Sequence, residues 1–490
     1  MNLLKKIKIN HNPKVYIRVA IEVLIIALTY TIGGVFSSLN NIVAFFWMLC
    51  TCIGFFLYYS IKSKNLFDLR AILYGSITGA IAVCQLRISQ IQEVWKAETW
   101  CLFALALSFF TIGYAITELI EINGSKSEET QEKVFFKRFV FKFNPKKVYY
   151  TTIFLAVMPI VFFCIQVAIK GFIPIFVQRY DAYILFYTRL SIFINLVIFS
   201  APLAFWCLKN MKLNLGQRIL MYSILPLPTI IFQLMVQRGL FVWSICILLI
   251  MVYLQCKHKV LGVTLVVGLL IFGILFSSAM RAIPADAMRE IWKLDEEVEI
   301  GNDSDSSDED EEFEEGGKNH SSVIKIKIPS FVYAPYYYII NGMENFNEMV
   351  GNIEQHSYGL RQITPFTVVL RFPALKEAIA KHPNFRILPN STACLIYDFY
   401  YDFGVIGVII EMLLLGILCA IVQKLGKEKN NLFAILEYGV LLAIILTAFF
   451  AAWISEFGSW LFAGTALLIF LYVYFEVIKK PKSKEELINE

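Results

Sequence analysis

Tyr397-Asp398-Phe399-Tyr400-Tyr401-Asp402-Phe403-Gly404-Val405-Ile406-Gly407 marks the point where a long polar segment gives way to an apolar run. Upstream of it, residues 279–399 form the one long polar segment in a chain otherwise built from apolar blocks. Those blocks are about 20 residues long, enough for a helix to cross a hydrocarbon core of roughly 30 Å. They begin near Val15, Asn41, Ala71, Trp100, Tyr149, Phe186, Ile219, Leu240, Val260, Phe403, Leu432 and Ser459. The composition agrees: 58% of the 490 residues are hydrophobic, 17% are charged, and the mean hydropathy is +0.62, far from the soluble norm. The expectation is an all-α polytopic membrane protein with about 12 transmembrane helices and one large extracytoplasmic loop.

Lys and Arg collect in loops that stay cytoplasmic. With an inside N-terminus, the inside segments carry 26 of them, whereas the short outside loops carry only Arg87, Lys96, Lys170, Arg179 and Arg238. Both termini are therefore expected in the cytoplasm, and parity places 279–399 outside. The expected division is nine spans over 1–278, the loop over 279–399, three spans over 400–478 and a cytoplasmic tail over 479–490.

Other features exclude functions. The first apolar run is long and lacks a small-residue cleavage site, so it reads as an anchor and not a removable signal. Nine of the ten cysteines lie in or at the ends of apolar runs and only Cys394 belongs to the loop, which argues against a disulfide framework. No phosphate-binding Gly-rich loop with Lys, no metal-spaced Cys or His pairs and no G-x-S-x-G elbow is present, so no cofactor or metal is expected. The net charge of +5 is accounted for by the inside loops and gives no reason to invoke nucleic acid.

The loop divides by composition. Residues 281–293 mix apolar and charged positions and could form an interfacial helix. Residues 296–317 are densely acidic, cannot bury a core, and read as a disordered insert; ion binding is the alternative. From Val323 to Phe399 the loop reads as a folded cap. Tyr336, Tyr337 and Asn345 lie in an aromatic stretch too interrupted to span, whose rings could stack on sugars or form a headgroup-level belt. Arg361 and Arg371, with Lys376, Lys381, His382 and Arg386 beyond them, stand in moderately apolar company. An arginine fork matches phosphate oxygens and keeps its charge where hydration is poor, though each could instead snorkel or neutralise an acid. Arg238 and Arg281 sit at the outer ends of spans. Convergence of Arg238, Arg281, Arg361 and Arg371 would make an electropositive pocket for a diphosphate carried on a membrane lipid. Asp402 before Phe-Gly could act as a base or cap the helix that starts there.

The block from Asn390-Ser391-Thr392 to Tyr397, continued by Tyr401-Asp402-Phe403-Gly404-Val405-Ile406-Gly407, resembles the signature of the oligosaccharide repeat-unit polymerases, which make O-antigen and capsular polysaccharide. The Tyr336–Tyr338 segment with Gly342, Asn345 and Phe346, and Arg238 after an outer helix end, are similar to further features of that family. The acidic insert departs from it. The resemblance implies a glycosyltransferase fold of the multi-spanning, lipid-linked-donor class in a bacterial cytoplasmic membrane. It implies an undecaprenyl-diphosphate-linked oligosaccharide as substrate, with a flippase and a chain-length regulator as further partners. With that reaction in view, the residues' own chemistry places Arg238, Arg281, Arg361 and Arg371 on the diphosphate and makes Asp402 the candidate base, with Tyr336, Tyr337, Asn345, Tyr397, Tyr401 and His382 as candidates for substrate contact. A flippase or other transporter, or a ligase-type glycan transferase, are the competing readings.

Overall fold

The computed structural model describes residues 13–89, 92–119, 144–177, 182–256, 258–280, 297–300, 324–327, 330–370, 375, 377–378, 385, 392–427 and 431–474. Among them, nine helices are long and apolar enough to cross a membrane. They are α1 (Pro13–Leu39), α2 (Asn41–Ser63), α4 (Ala97–Leu119), α5 (Pro145–Lys170), α6 (Ser191–Asn210), α7 (Leu215–Leu234), α8 (Arg238–Gln255), α12 (Tyr397–Gly426) and α14 (Phe457–Tyr474). Shorter apolar helices, α3 (Leu69–Cys84), α9 (Lys259–Met280) and α13 (Leu432–Leu446), occupy the third, ninth and eleventh apolar runs. The chain is an all-α polytopic membrane protein.

The central contact is α12 along α4, and its closeness comes from glycine. A Cβ on Gly113 would lie 2.1 Å from the Leu413 carbonyl oxygen, and one on Gly416 would lie 2.3 Å from that of Phe110. Helix association in lipid gains no hydrophobic driving force, so close backbone approach through small residues supplies the dispersion contacts instead. Gly439 of α13 meets Ile247 of α8 in the same way. Helices α4 and α6 are mostly buried in this core, whereas α1, α2, α7 and α14 turn most of their apolar surface outward.

Two clusters of charged groups within the bundle are paired, which offsets their desolvation. Glu22 of α1 accepts from Lys62 of α2 at 2.6 Å and from the Tyr58 hydroxyl at 2.7 Å. Asp68 caps α3 and accepts from Gln423 of α12 at 3.0 Å, while the Arg70 guanidinium lies 3.9 Å from the Tyr114 ring centroid.

At the other end of the bundle, two loop helices cover the core: α10 (Ser330–Asn352) and α11 (Leu360–Leu370). Helix α10 lies across the ends of α3 and α4. Its inner face mixes apolar residues (Ile340, Met343, Phe346, Met349) with buried polar ones that find partners in the bundle. Glu344 accepts from Gln92 at 2.8 Å and from the Trp95 indole at 3.0 Å, and Asn347 accepts from the Thr99 hydroxyl at 2.8 Å. Burial pushes the Glu344 carboxyl up to about 7. At Gly342 the helix crosses the turn after α13, where a Cβ would stand 2.4 Å from the Phe449 carbonyl oxygen.

The acidic insert differs from expectation at its start. Residues Glu297–Ile300 form strand β1, paired antiparallel with β2 (Ile324–Lys327). The register sets Glu297 opposite Lys327, Glu299 opposite Lys325, and Val298 opposite Ile326. Both segments alternate apolar and charged residues, a period-2 pattern that suits a strand. Residues 301–317 of the insert, and the interfacial helix expected at 281–293, lie outside the described residues.

Candidate functional site

The site is built on a break in α12. Gly404 sits at φ 62, ψ −146, a region open in practice only to glycine, and splits the helix into a short turn over Tyr397–Phe403 and the long span that follows. A Cβ at Gly404 would also lie 2.7 Å from His356 Nε2. The break releases two carbonyls from the helix ladder. That of Tyr401 accepts from the Ser357 amide at 3.1 Å, and that of Asp402 from the Tyr358 amide at 2.9 Å. The chain then turns through Tyr358 and Gly359, both at positive φ, into α11.

Asp402 completes this join. Its fully buried carboxylate accepts from the backbone amides of Arg361 and Gln362, each at 3.0 Å, and from the Ser357 hydroxyl. These are the first free amides of α11, so Asp402 acts as an N-cap, for α11 and not for the helix that contains it. An anion at the positive end of the helix dipole adds to the stabilisation. Gln362 also reaches along α12 to bond Glu411.

Through this cap Arg361 is held in place. Its Nε donates to Asp398 Oδ1 at 3.1 Å, and its guanidinium lies 5.5 Å from the Tyr401 ring centroid. Asp398 and Asp402, four residues apart, share a face of the short turn, as do Tyr397 and Tyr401, whose rings stack at 6.0 Å. A quarter of the Arg361 side chain remains exposed, and its two Nη groups make no hydrogen bond among the described residues. Burial works against its charge, but Asp398 and the flanking tyrosines outweigh that and hold it firmly protonated. Half of the fork is fixed and half is open.

Arg238, the first residue of α8, donates to the Tyr338 hydroxyl at 3.3 Å, with its guanidinium 5.7 Å from that ring. Tyr338 in turn meets Phe450 edge-on at 5.4 Å. A Cβ on the neighbouring Gly239 would touch Trp453 at 3.5 Å, and the Trp453 indole donates to the Thr447 hydroxyl at 2.7 Å. Helix α11 also packs on the turn Trp453–Ser455, and its Phe366 meets Trp460 at 5.9 Å. The helices that begin at Arg238 and carry Arg361 thus both pack on one short segment, 447–460.

The remaining candidate residues fall into two groups. Arg281, Arg371 and His382 lie outside the described residues. Tyr336 is buried and turned away from the arginines, accepting from the Ile88 amide at 3.0 Å and donating to Gln92. Asn345 is buried too, donating to Asn341 at 3.1 Å and to the Thr392 carbonyl, which ties α10 to the approach of α12. Tyr397 donates to the Phe385 carbonyl at 3.1 Å. Tyr337 is half-buried beside Tyr338. Two residues emerge that sequence reading passed over. Asp398 could have been found from its spacing to Asp402, since positions four apart share a helix face. Tyr338 could not, because nothing local says which of three consecutive tyrosines meets Arg238.

A bundle of apolar helices whose loop end gathers arginine, carboxylate and tyrosine around a broken helix defines a polytopic membrane protein with a built polar site at one face. Residues 380–449 match the model of a family described as "Putative O-antigen polymerase". The matched region contains Asp398, Asp402, the Gly404 break and the start of segment 447–460, and it bears out the resemblance drawn from the block around Asp402. No curated protein and no solved structure matches the chain.

Proposed function

We propose that this chain joins lipid-diphosphate-linked oligosaccharide repeat units into a surface polysaccharide, with the loop end facing away from the cytoplasm. The observation that carries the reading is the Arg361–Asp398 pair at 3.1 Å, one partner of which lies inside the segment that matches the polymerase family. In the reaction, the bond between the anomeric carbon and the donor diphosphate breaks while a bond to the acceptor hydroxyl oxygen forms. The diphosphate leaves on its lipid with the electron pair of the broken bond, and the proton lost by the hydroxyl is taken up by that departing phosphate oxygen or by water. Negative charge grows on the leaving oxygens, and preorganised cations there lower the barrier without reorganising.

The open half of the Arg361 fork and Arg238 are the groups we assign to that diphosphate, joined by Arg281 and Arg371 on the sequence argument. Tyr337, half-buried, offers an aromatic face to a sugar ring, whereas the buried Tyr397 and Tyr401 act by packing beneath Arg361. Asp402 is a positioning residue here: its oxygens serve the amides of α11, so it orients Arg361 and does not take the proton. Tyr336 and Asn345 likewise act by fixing α10. Undecaprenyl diphosphate is the carrier we assign. The test is to supply purified protein with lipid-linked repeat units from its own host and resolve the products by size. A ladder is expected; repeat units that stay single, or that move to a non-lipid acceptor, would overturn the polymerase reading.

A further inference from the structure

The second feature of the loop end is apolar. A groove of about 360 Å³ runs between α2, α3 and the end of α13, lined by Phe56, Ile72, Val83, Leu446 and Phe449 and roofed by Ile339 of α10. Its floor is made of Gly75, Ser76, Gly79 and Ala80 on α3. The Ser76 hydroxyl is spent on the Leu446 carbonyl at 3.0 Å, so the floor presents no polar group that a hydrocarbon would have to desolvate. From Val83 at the loop end to Ile72 the groove follows α3 for eleven residues, about 16 Å at 1.5 Å per residue. That reaches about half of a hydrocarbon core of roughly 30 Å.

The upper end of the groove adjoins the arginine site. Ile339 and Phe449 line the groove, and their chain neighbours Tyr338 and Phe450 meet each other beside Arg238. A ligand seated here would have an apolar chain descending into the membrane and an anion at the loop end.

We propose that this groove holds the first isoprene units of the polyprenyl diphosphate, and that it selects the carrier by shape. The inference rests on the functional reading above and adds where the chain lies. Hydrophobicity cannot provide the selection, because bilayer lipid is as apolar as the groove. Shape can. The low floor at Gly75 and Ala80 lies between the larger Phe56, Ile72 and Val83, so the groove is uneven in depth and receives the methyl branches of an isoprenoid, whereas a straight acyl chain leaves that depth unfilled and forfeits dispersion contacts.

The test uses the full-length protein in nanodiscs with undecaprenyl diphosphate carrying a diazirine near the diphosphate end of its chain. Photolabelling is expected within residues 72–83 and 446–449. Unlabelled undecaprenyl diphosphate should compete at least tenfold better than phosphatidylglycerol, and Ala80→Trp should cut labelling at least fivefold. Labelling elsewhere, or equal competition by phosphatidylglycerol, overturns the proposal; because wild-type labelling decides this, a misfolded Ala80→Trp variant does not rescue it. The size ladder from repeat units is read in parallel. A ladder with labelling elsewhere overturns the groove alone, and labelling in the groove with no ladder overturns the polymerase reading alone.

Discussion

Replacing Asp402 separates its two possible roles. The carboxylate accepts from two backbone amides and one hydroxyl in a fully buried position. Asp402→Asn keeps one oxygen acceptor and turns an NH2 group toward a donor, leaving one buried amide without a partner. Such an orphan costs about 1–3 kcal/mol. Asp402→Ala orphans both amides and removes the cap, for a cost of about 3–5 kcal/mol. The assay pairs thermal unfolding in detergent with the size-ladder activity at several pH values. We expect Asn and Ala to lower the midpoint in that order, with activity falling in step and the pH profile of the residual activity unchanged. A general base contributes about 10²- to 10⁴-fold to rate. An Asp402→Asn variant as stable as wild type but at least 100-fold slower, with a shifted pH profile, would refute the positioning role.

Arg361→Ala and Arg238→Ala should each reduce chain growth at least 100-fold while the protein still inserts and purifies, and Arg361→Lys should recover little, because a point charge cannot both pair with Asp398 and present an open fork; retained growth in the Ala variants would mean that these arginines only pack. Gly404→Ala must take a strained backbone and meet His356 at 2.7 Å, so a loss of about 2–4 kcal/mol in stability is expected, read as a lower unfolding midpoint. Glu344, raised to about 7 in the folded state, favours folding fully below its unfolded value near 4.3 and loses that contribution as pH rises through about 7. Wild type should therefore lose roughly 3 kcal/mol between pH 5 and pH 8, and Glu344→Gln should flatten that slope, as melting curves across that range will show.

Much of the architecture was legible in the chain. Twelve apolar runs coincide with described apolar helices because crossing lipid requires every backbone group to bond within its own segment, and that demand is written in local composition. The aromatic stretch at 328–346 reads as a helix for a similar reason: it is apolar enough to pack and too interrupted to span, and α10 occupies it. The strand pair at the edges of the acidic insert was missed because a run of like charge dominates any window that contains it, hiding alternating positions at its border.

The site was only half legible. Composition and side-chain chemistry single out Arg238, Arg361 and Asp402, since few residue types do anionic or acid-base work at a membrane face. What each does depends on partners far away in sequence, and no local pattern encodes those. Asp402 caps a helix that begins 42 residues earlier, at Leu360, because Gly404 breaks α12 and lets the 357–362 segment dock on the freed carbonyls. Tyr338, and neither Tyr336 nor Tyr337, meets Arg238, because Gly342 fixes how α10 crosses the turn after α13. The sequence by itself determined the class of protein, the helices and the kinds of group available for chemistry. The tertiary structure decided which of those groups are held and which remain open, because side-chain direction follows from packing.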